Sequence, residues 1–100
     1  MSKSPYKIKV DTKVLFDLQD AIYYLNSKQT NLGEEFLNEY SSALSYLENS
    51  PYTQLRYKDV HCFPLKRFKY MIHFRIEEQE KTITIYAVLS THYEPNKHWL

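Results

Sequence analysis

The sequence predicts an α+β domain of two layers. An N-terminal strand and an α-helical hairpin pack on one face of a small, mainly antiparallel sheet, in the order β-α-α-β-β-β. Three observations predict it. Apolar residues recur every three or four positions between Val14 and Leu47, the repeat of amphipathic helices. From Pro51 onward the repeat changes to two, the repeat of strands with one buried face. Turn-forming clusters, Asn31-Leu-Gly, Asn49-Ser-Pro51 and Glu77-Glu-Gln-Glu-Lys81, separate the segments.

Taken in order, Tyr6 to Val10 alternate as a short first strand. Asp11 or Thr12 is placed to cap a helix by accepting from its free N–H groups. Val14, Leu15, Leu18, Ala21, Ile22 and Leu25 form that helix's apolar face, and it ends near Asn26–Lys28. Asn31 and Glu34 have the spacing of a capping box for a second helix. Its apolar face is Phe36, Leu37, Tyr40, Ala43, Leu44 and Leu47, and Pro51 stops it by disfavouring helical geometry in the residue before it. Gln54–Tyr57 and Val60–Leu65 read as short strands. In the next strand Tyr70, Ile72, Phe74 and Ile76 face the core, with Met71, His73 and Arg75 opposite. In the last, Ile83, Ile85, Ala87 and Leu89 face the core and Thr82, Thr84, Tyr86, Val88 and Ser90 face away.

Length and composition bound the function. One hundred residues make one domain, 1–100, with 43% hydrophobic and 25% charged residues, a globular balance. A single glycine, Gly33, excludes the Gly-rich loops that cradle phosphates. A net charge of +1 equips the chain poorly for general nucleic-acid binding, which needs many cation–phosphate contacts, so any such contact is local. One cysteine, Cys62, excludes an internal disulfide and a multi-cysteine zinc site, and it reads as a small buried hydrophobe. No run is long enough for a membrane span and Met1-Ser-Lys-Ser-Pro-Tyr-Lys has no apolar signal core, so a cytoplasmic protein without membrane contact is expected. No cofactor motif is present, and no His/Glu pair has helical metal-ligand spacing, so neither cofactor nor metal is expected.

Chemistry concentrates in the last forty residues. Lys66, Arg67 and Lys69 form a cationic turn, read either as a solvated edge guard or as a phosphate- or acid-binding patch. His73 is read as half-exposed on the face opposite the core, structural or suited to acid–base work, with Arg75 two residues on. His92, Tyr93 and His98 follow near the C-terminus.

These residues resemble the RelE/ParE superfamily, toxins of type II toxin–antitoxin systems, over nearly the whole length. The resemblance rests on Asp17-Leu-Gln-Asp-Ala-Ile-Tyr-Tyr24, Leu32-Gly-Glu-Glu-Phe36 and Asn49-Ser-Pro51. It continues through Pro64-Leu-Lys-Arg-Phe-Lys-Tyr-Met-Ile-His-Phe74, Ile85-Tyr-Ala-Val-Leu89 and Pro95…Trp99. It implies a growth-inhibiting plasmid-stabilisation toxin held inactive by a wrapping antitoxin. RelE-like members cut messenger RNA in the ribosome, whereas ParE-like members poison DNA gyrase.

Many relatives carry arginine where this chain has Met71, and His-Thr-Ser-Arg-Asp-Pro where it has Ser90-Thr-His-Tyr-Glu-Pro95, so the resemblance implies loss of both arginines. The expected function is therefore ParE-like, by protein–protein contact with gyrase as candidate target. The open sheet face (Met71, His73, Tyr86) and its rim (Lys66, Arg67, Lys69, Arg75, His92, Tyr93) would form the contact. One alternative is a RelE-like ribosome-dependent endoribonuclease with His73, Arg75, Arg67 and Tyr93 as its acid–base and phosphate-binding groups. The other is a decayed toxin that keeps only antitoxin binding.

Overall fold

The computed structural model describes residues 5–53 and 56–91, with the backbone alone at Arg56. Strand β1 (Lys7–Val10) leads into helices α1 (Lys13–Lys28) and α2 (Leu32–Asn49). Strands β2 (Arg56–Tyr57), β3 (Val60–Pro64), β4 (Tyr70–Glu77) and β5 (Thr82–Ser90) follow. The sheet order is β1-β5-β4-β3-β2. β1 runs parallel to β5 and the other pairs are antiparallel. The predicted α+β class is observed, with β1 as an edge strand of the sheet itself and Arg56–Tyr57 as a short fourth strand after the hairpin at the other edge; Gln54 and Leu55 of that expected strand lie outside the described residues.

The helical hairpin covers one face. Val14, Ala21 and Leu25 of α1 and Phe36, Tyr40, Ala43 and Leu47 of α2 pack on Ile72, Phe74, Ile83, Ile85 and Val88. Phe36 lies edge-on to Phe68 at 5.6 Å and beside Tyr70 at 5.1 Å, which plants α2 on the start of β4. Each such fully buried side chain contributes roughly 1.5–3 kcal/mol of transfer free energy. Leu15, expected on the apolar face, is 56% exposed, because it lies off the stripe set by Val14, Ala21 and Leu25.

The helix starts differ from expectation in an informative way. Asp11, just before the N-cap Thr12, accepts from the Lys13 amide at 3.0 Å, while Thr12 itself makes no side-chain cap bond. Asn31, however, takes a left-handed conformation (φ 69°) and makes no side-chain cap bond. The capping acceptor for α2 comes from α1 instead: Asn26 Oδ1 accepts from the Gly33 amide at 2.8 Å. The two helices touch there so closely that a Cβ on Gly33 would meet Ile22 Cγ2 at 2.7 Å. The lone glycine is thus a packing residue of the hairpin.

The last strand corrects the predicted facing. His73 pairs with Ala87 but Phe74 pairs with Ile85, so Tyr86 is an extra residue, a β-bulge. The bulge shifts the alternation by one. Val88 joins Ile83 and Ile85 in the core cluster, while Ala87 and Leu89 pass to the open face. Beyond the end of β1, the Val88 amide donates to Asp17 Oδ2 of α1 at 3.0 Å, which ties α1 to β5 next to the bulge.

Candidate functional site

Strand pairing lays the open face out in rows. Pro64, Met71 and Leu89 stand side by side across β3, β4 and β5, an apolar row at one end. Cys62, His73 and Ala87 form the next row, all buried. Arg75 follows beside Thr84, with the bulged Tyr86 reaching the same region. Met71, His73 and Tyr86, expected on this face, are therefore brought together.

His73 is the centre of this face, and its environment differs from expectation. It is fully buried rather than half-exposed. Its Nδ1 lies 3.5 Å from Cys62 Sγ and 3.4 Å from the Tyr57 hydroxyl. Burial, with a smaller contribution from the Lys13 charge, lowers its pKa to about 4, so it is neutral at neutral pH. Burial pushes the Cys62 thiol up to about 11. Tyr57 rises to about 12, through burial first and then the adjacent Tyr86 phenol, against an opposing effect of Arg75. None of the three changes protonation near neutral pH, where general acid–base catalysis works best.

Cations border this cluster. Arg75 Cζ lies 5.3 Å from the Tyr86 ring centre and Lys13 Nζ 5.9 Å from it, both within cation–π reach. Arg75 also meets Asp59 at 3.5 Å in an exposed ion pair. Tyr57, Cys62, Lys13 and Asp59 were not singled out from the sequence as members of one site. The pairing of Cys62 with His73 depends on the β3–β4 register, and Lys13 arrives from the far end of the chain order.

The cationic turn lies elsewhere. Lys69 and Arg75 stand six positions apart along the chain, roughly 20 Å at a strand's rise. Arg67 points to the helical layer, where its Nη2 donates to Glu35 Oε1. The Lys66 amide donates to Glu39 Oε2, and the Arg67 amide reaches the same oxygen at 3.2 Å. The structure therefore does not join Arg67 to His73 and Arg75 in one site. His92 and Tyr93 lie outside the described residues. Next to the turn, a cavity of about 810 Å³ runs between α2 and β3, floored by Ala43, Phe63 and Leu65, with Tyr46 against Phe63.

Among the described residues no group of three or more His, Cys, Asp or Glu side chains could hold a metal ion, and no helix is long and apolar enough to cross a membrane.

No protein-family model matches the chain and no curated protein sequence matches it. Solved structures do. A chain of the chromosomal ParDE TA system from P. aeruginosa aligns with a TM-score of 0.68 at 19% identity, over 85% of this chain and 95% of that one. A chain of the intact E. coli RelBE toxin–antitoxin complex gives 0.64 at 16%, over 85% and 95%. The isolated E. coli RelE toxin gives 0.52 at 12%, over 95% and 99%. The chain shares the fold of these structures.

Proposed function

We propose that this chain, built on the RelE/ParE fold, is the toxin component of a type II toxin–antitoxin system. It acts in the cytoplasm by ParE-like protein–protein contact, with DNA gyrase as the target assigned for test, and a cognate antitoxin neutralises it. The likeness to ParDE and RelBE complexes supports the toxin class and the antitoxin partner. The observation that carries the ParE-like branch is the open face itself. Its apolar row of Pro64, Met71 and Leu89 adjoins a His73 that burial holds neutral. Cutting RNA through its 2′-hydroxyl needs a base, a proton donor and cations at the developing phosphorane. An apolar row suits a protein surface instead, since interface cores are depleted of charge and enriched in Met and aromatic residues.

Expression of the chain alone should arrest growth, and co-expression of an antitoxin encoded next to it should relieve the arrest. Met71→Glu, which charges the row, should abolish toxicity while circular dichroism and antitoxin binding stay unchanged. Undiminished arrest by that variant would remove the row from the contact surface.

The rival reading, a RelE-like ribosome-dependent endoribonuclease, is favoured by the gathering of His73, Tyr57, Tyr86 and Arg75 on one face. It predicts position-specific cuts in messenger RNA that disappear in a His73→Ala, Tyr93→Phe double variant.

A further inference from the structure

We propose that the β3–β4 turn is an oxyanion-binding site that α2 keeps occupied with Glu39, so that an external phosphate or carboxylate binds by displacing that side chain. Two successive backbone amides, Lys66 and Arg67, converge on one oxygen, Glu39 Oε2. The Arg67 amide also reaches Glu39 Oε1 at 3.4 Å. Turns that aim successive N–H groups at one point bind anions, and the object bound here is a carboxylate. Alongside, the Arg67 guanidinium holds the carboxylate of Glu35, which stands one helical turn before Glu39. The turn therefore offers two amides and a planar guanidinium fork, a donor set that suits an oxyanion, on a segment that also carries Lys66 and Lys69.

Lys66, Arg67 and Lys69 are exposed, so the site is reachable from solvent. The 810 Å³ cavity that Glu39, Lys66 and Arg67 share leaves room for the body of a ligand. Glu39 competes as a tethered carboxylate, and tethered groups act at effective concentrations in roughly the millimolar range or above. An external anion must exceed that, so the wild-type turn binds weakly. Removing Glu39 unmasks the amides, whereas removing Glu35 alone releases only the guanidinium.

The test is a titration of ¹⁵N-labelled protein with inorganic phosphate, and separately with acetate, read at the Lys66 and Arg67 amides. Glu39→Ala should give saturable shifts at those two amides at concentrations about tenfold or more below those needed by wild type. Glu39→Gln, neutral and of the same size, should move in the same direction and guards against a fold defect in the alanine variant. Glu34→Ala removes an equal charge from the exposed side of the same helix and should behave as wild type. A response to phosphate alone assigns the site to phosphoryl groups; a matching response to acetate assigns it to carboxylates as well. The proposal is overturned if wild type and Glu39→Ala respond alike, if Glu34→Ala matches Glu39→Ala, or if shifts spread over all cationic residues without saturation.

Discussion

Replacing Gly33 by alanine tests the helical hairpin with one methyl group. The new Cβ would lie 2.7 Å from Ile22 Cγ2, closer than real Cβ contacts come, and 3.1 Å from Asn26 Oδ1, a tight contact. Overpacking of this kind costs roughly 1–3 kcal/mol. Any shift of Asn26 also strains its bond to the Gly33 amide, a further loss of about 1 kcal/mol. Against this stands alanine's higher helix propensity, worth at most about 1 kcal/mol. The losses win, and the net destabilisation is about 1–3 kcal/mol. For a domain of this size that lowers the melting temperature by roughly 5–20 °C. Thermal unfolding, with urea unfolding to check for an unchanged slope, measures it. Ile22→Ala in the same chain removes the opposing methyl, so the double variant should be more stable than the sum of the single effects by at least about 0.5 kcal/mol. A Gly33→Ala protein as stable as wild type, or more so, would refute the close approach of α1 and α2.

Two further outcomes follow from buried polar groups. The folded state depresses His73 from an ordinary 6.5 to about 4, so it refuses a proton that the unfolded chain accepts. That contribution is complete above about pH 6.5 and is lost as pH falls through 4, about 3 kcal/mol in all. Urea unfolding between pH 4 and 7.5 should show this slope, His73→Gln should flatten it, and an imidazole NMR titration with a midpoint near 6.5 would contradict it. Asp17→Ala strands the buried Val88 amide beside the bulge and should destabilise by about 1–3 kcal/mol, while Asp17→Asn keeps an acceptor and loses less. Hydrogen exchange at Val88 reads the difference directly; unchanged protection in Asp17→Ala would show that the carboxylate is not the acceptor.

Local periodicity made the architecture legible. Val14, Ala21 and Leu25, then Phe36, Tyr40, Ala43 and Leu47, stand at helical spacing and pack as that spacing implies. The alternation of β4 was legible for the same reason. β5 was misread past Ile85, because a bulge adds a residue without changing composition; the trace it leaves is the three-residue step from Ile85 to Val88. Asn31 reads as a cap in any local pattern, yet the acceptor comes from Asn26, seven positions before Gly33. The site was harder to read, since its contacts are long-range. Cys62 meets His73 through strand register, and the cationic turn meets Glu35 and Glu39 from about thirty residues away. Sequence assigns residue types to faces, but not which turn a helix's acids will reach.

The proposed ParE-like function has the open face act by contact with a protein and not by cutting RNA. Purified chain should be assayed side by side for inhibition of DNA gyrase supercoiling and for messenger RNA cleavage on ribosomes. ParE-like contact predicts loss of supercoiling at stoichiometric protein, reversed by antitoxin, with intact messenger RNA. Position-specific cleavage on the ribosome with supercoiling unaffected would contradict it.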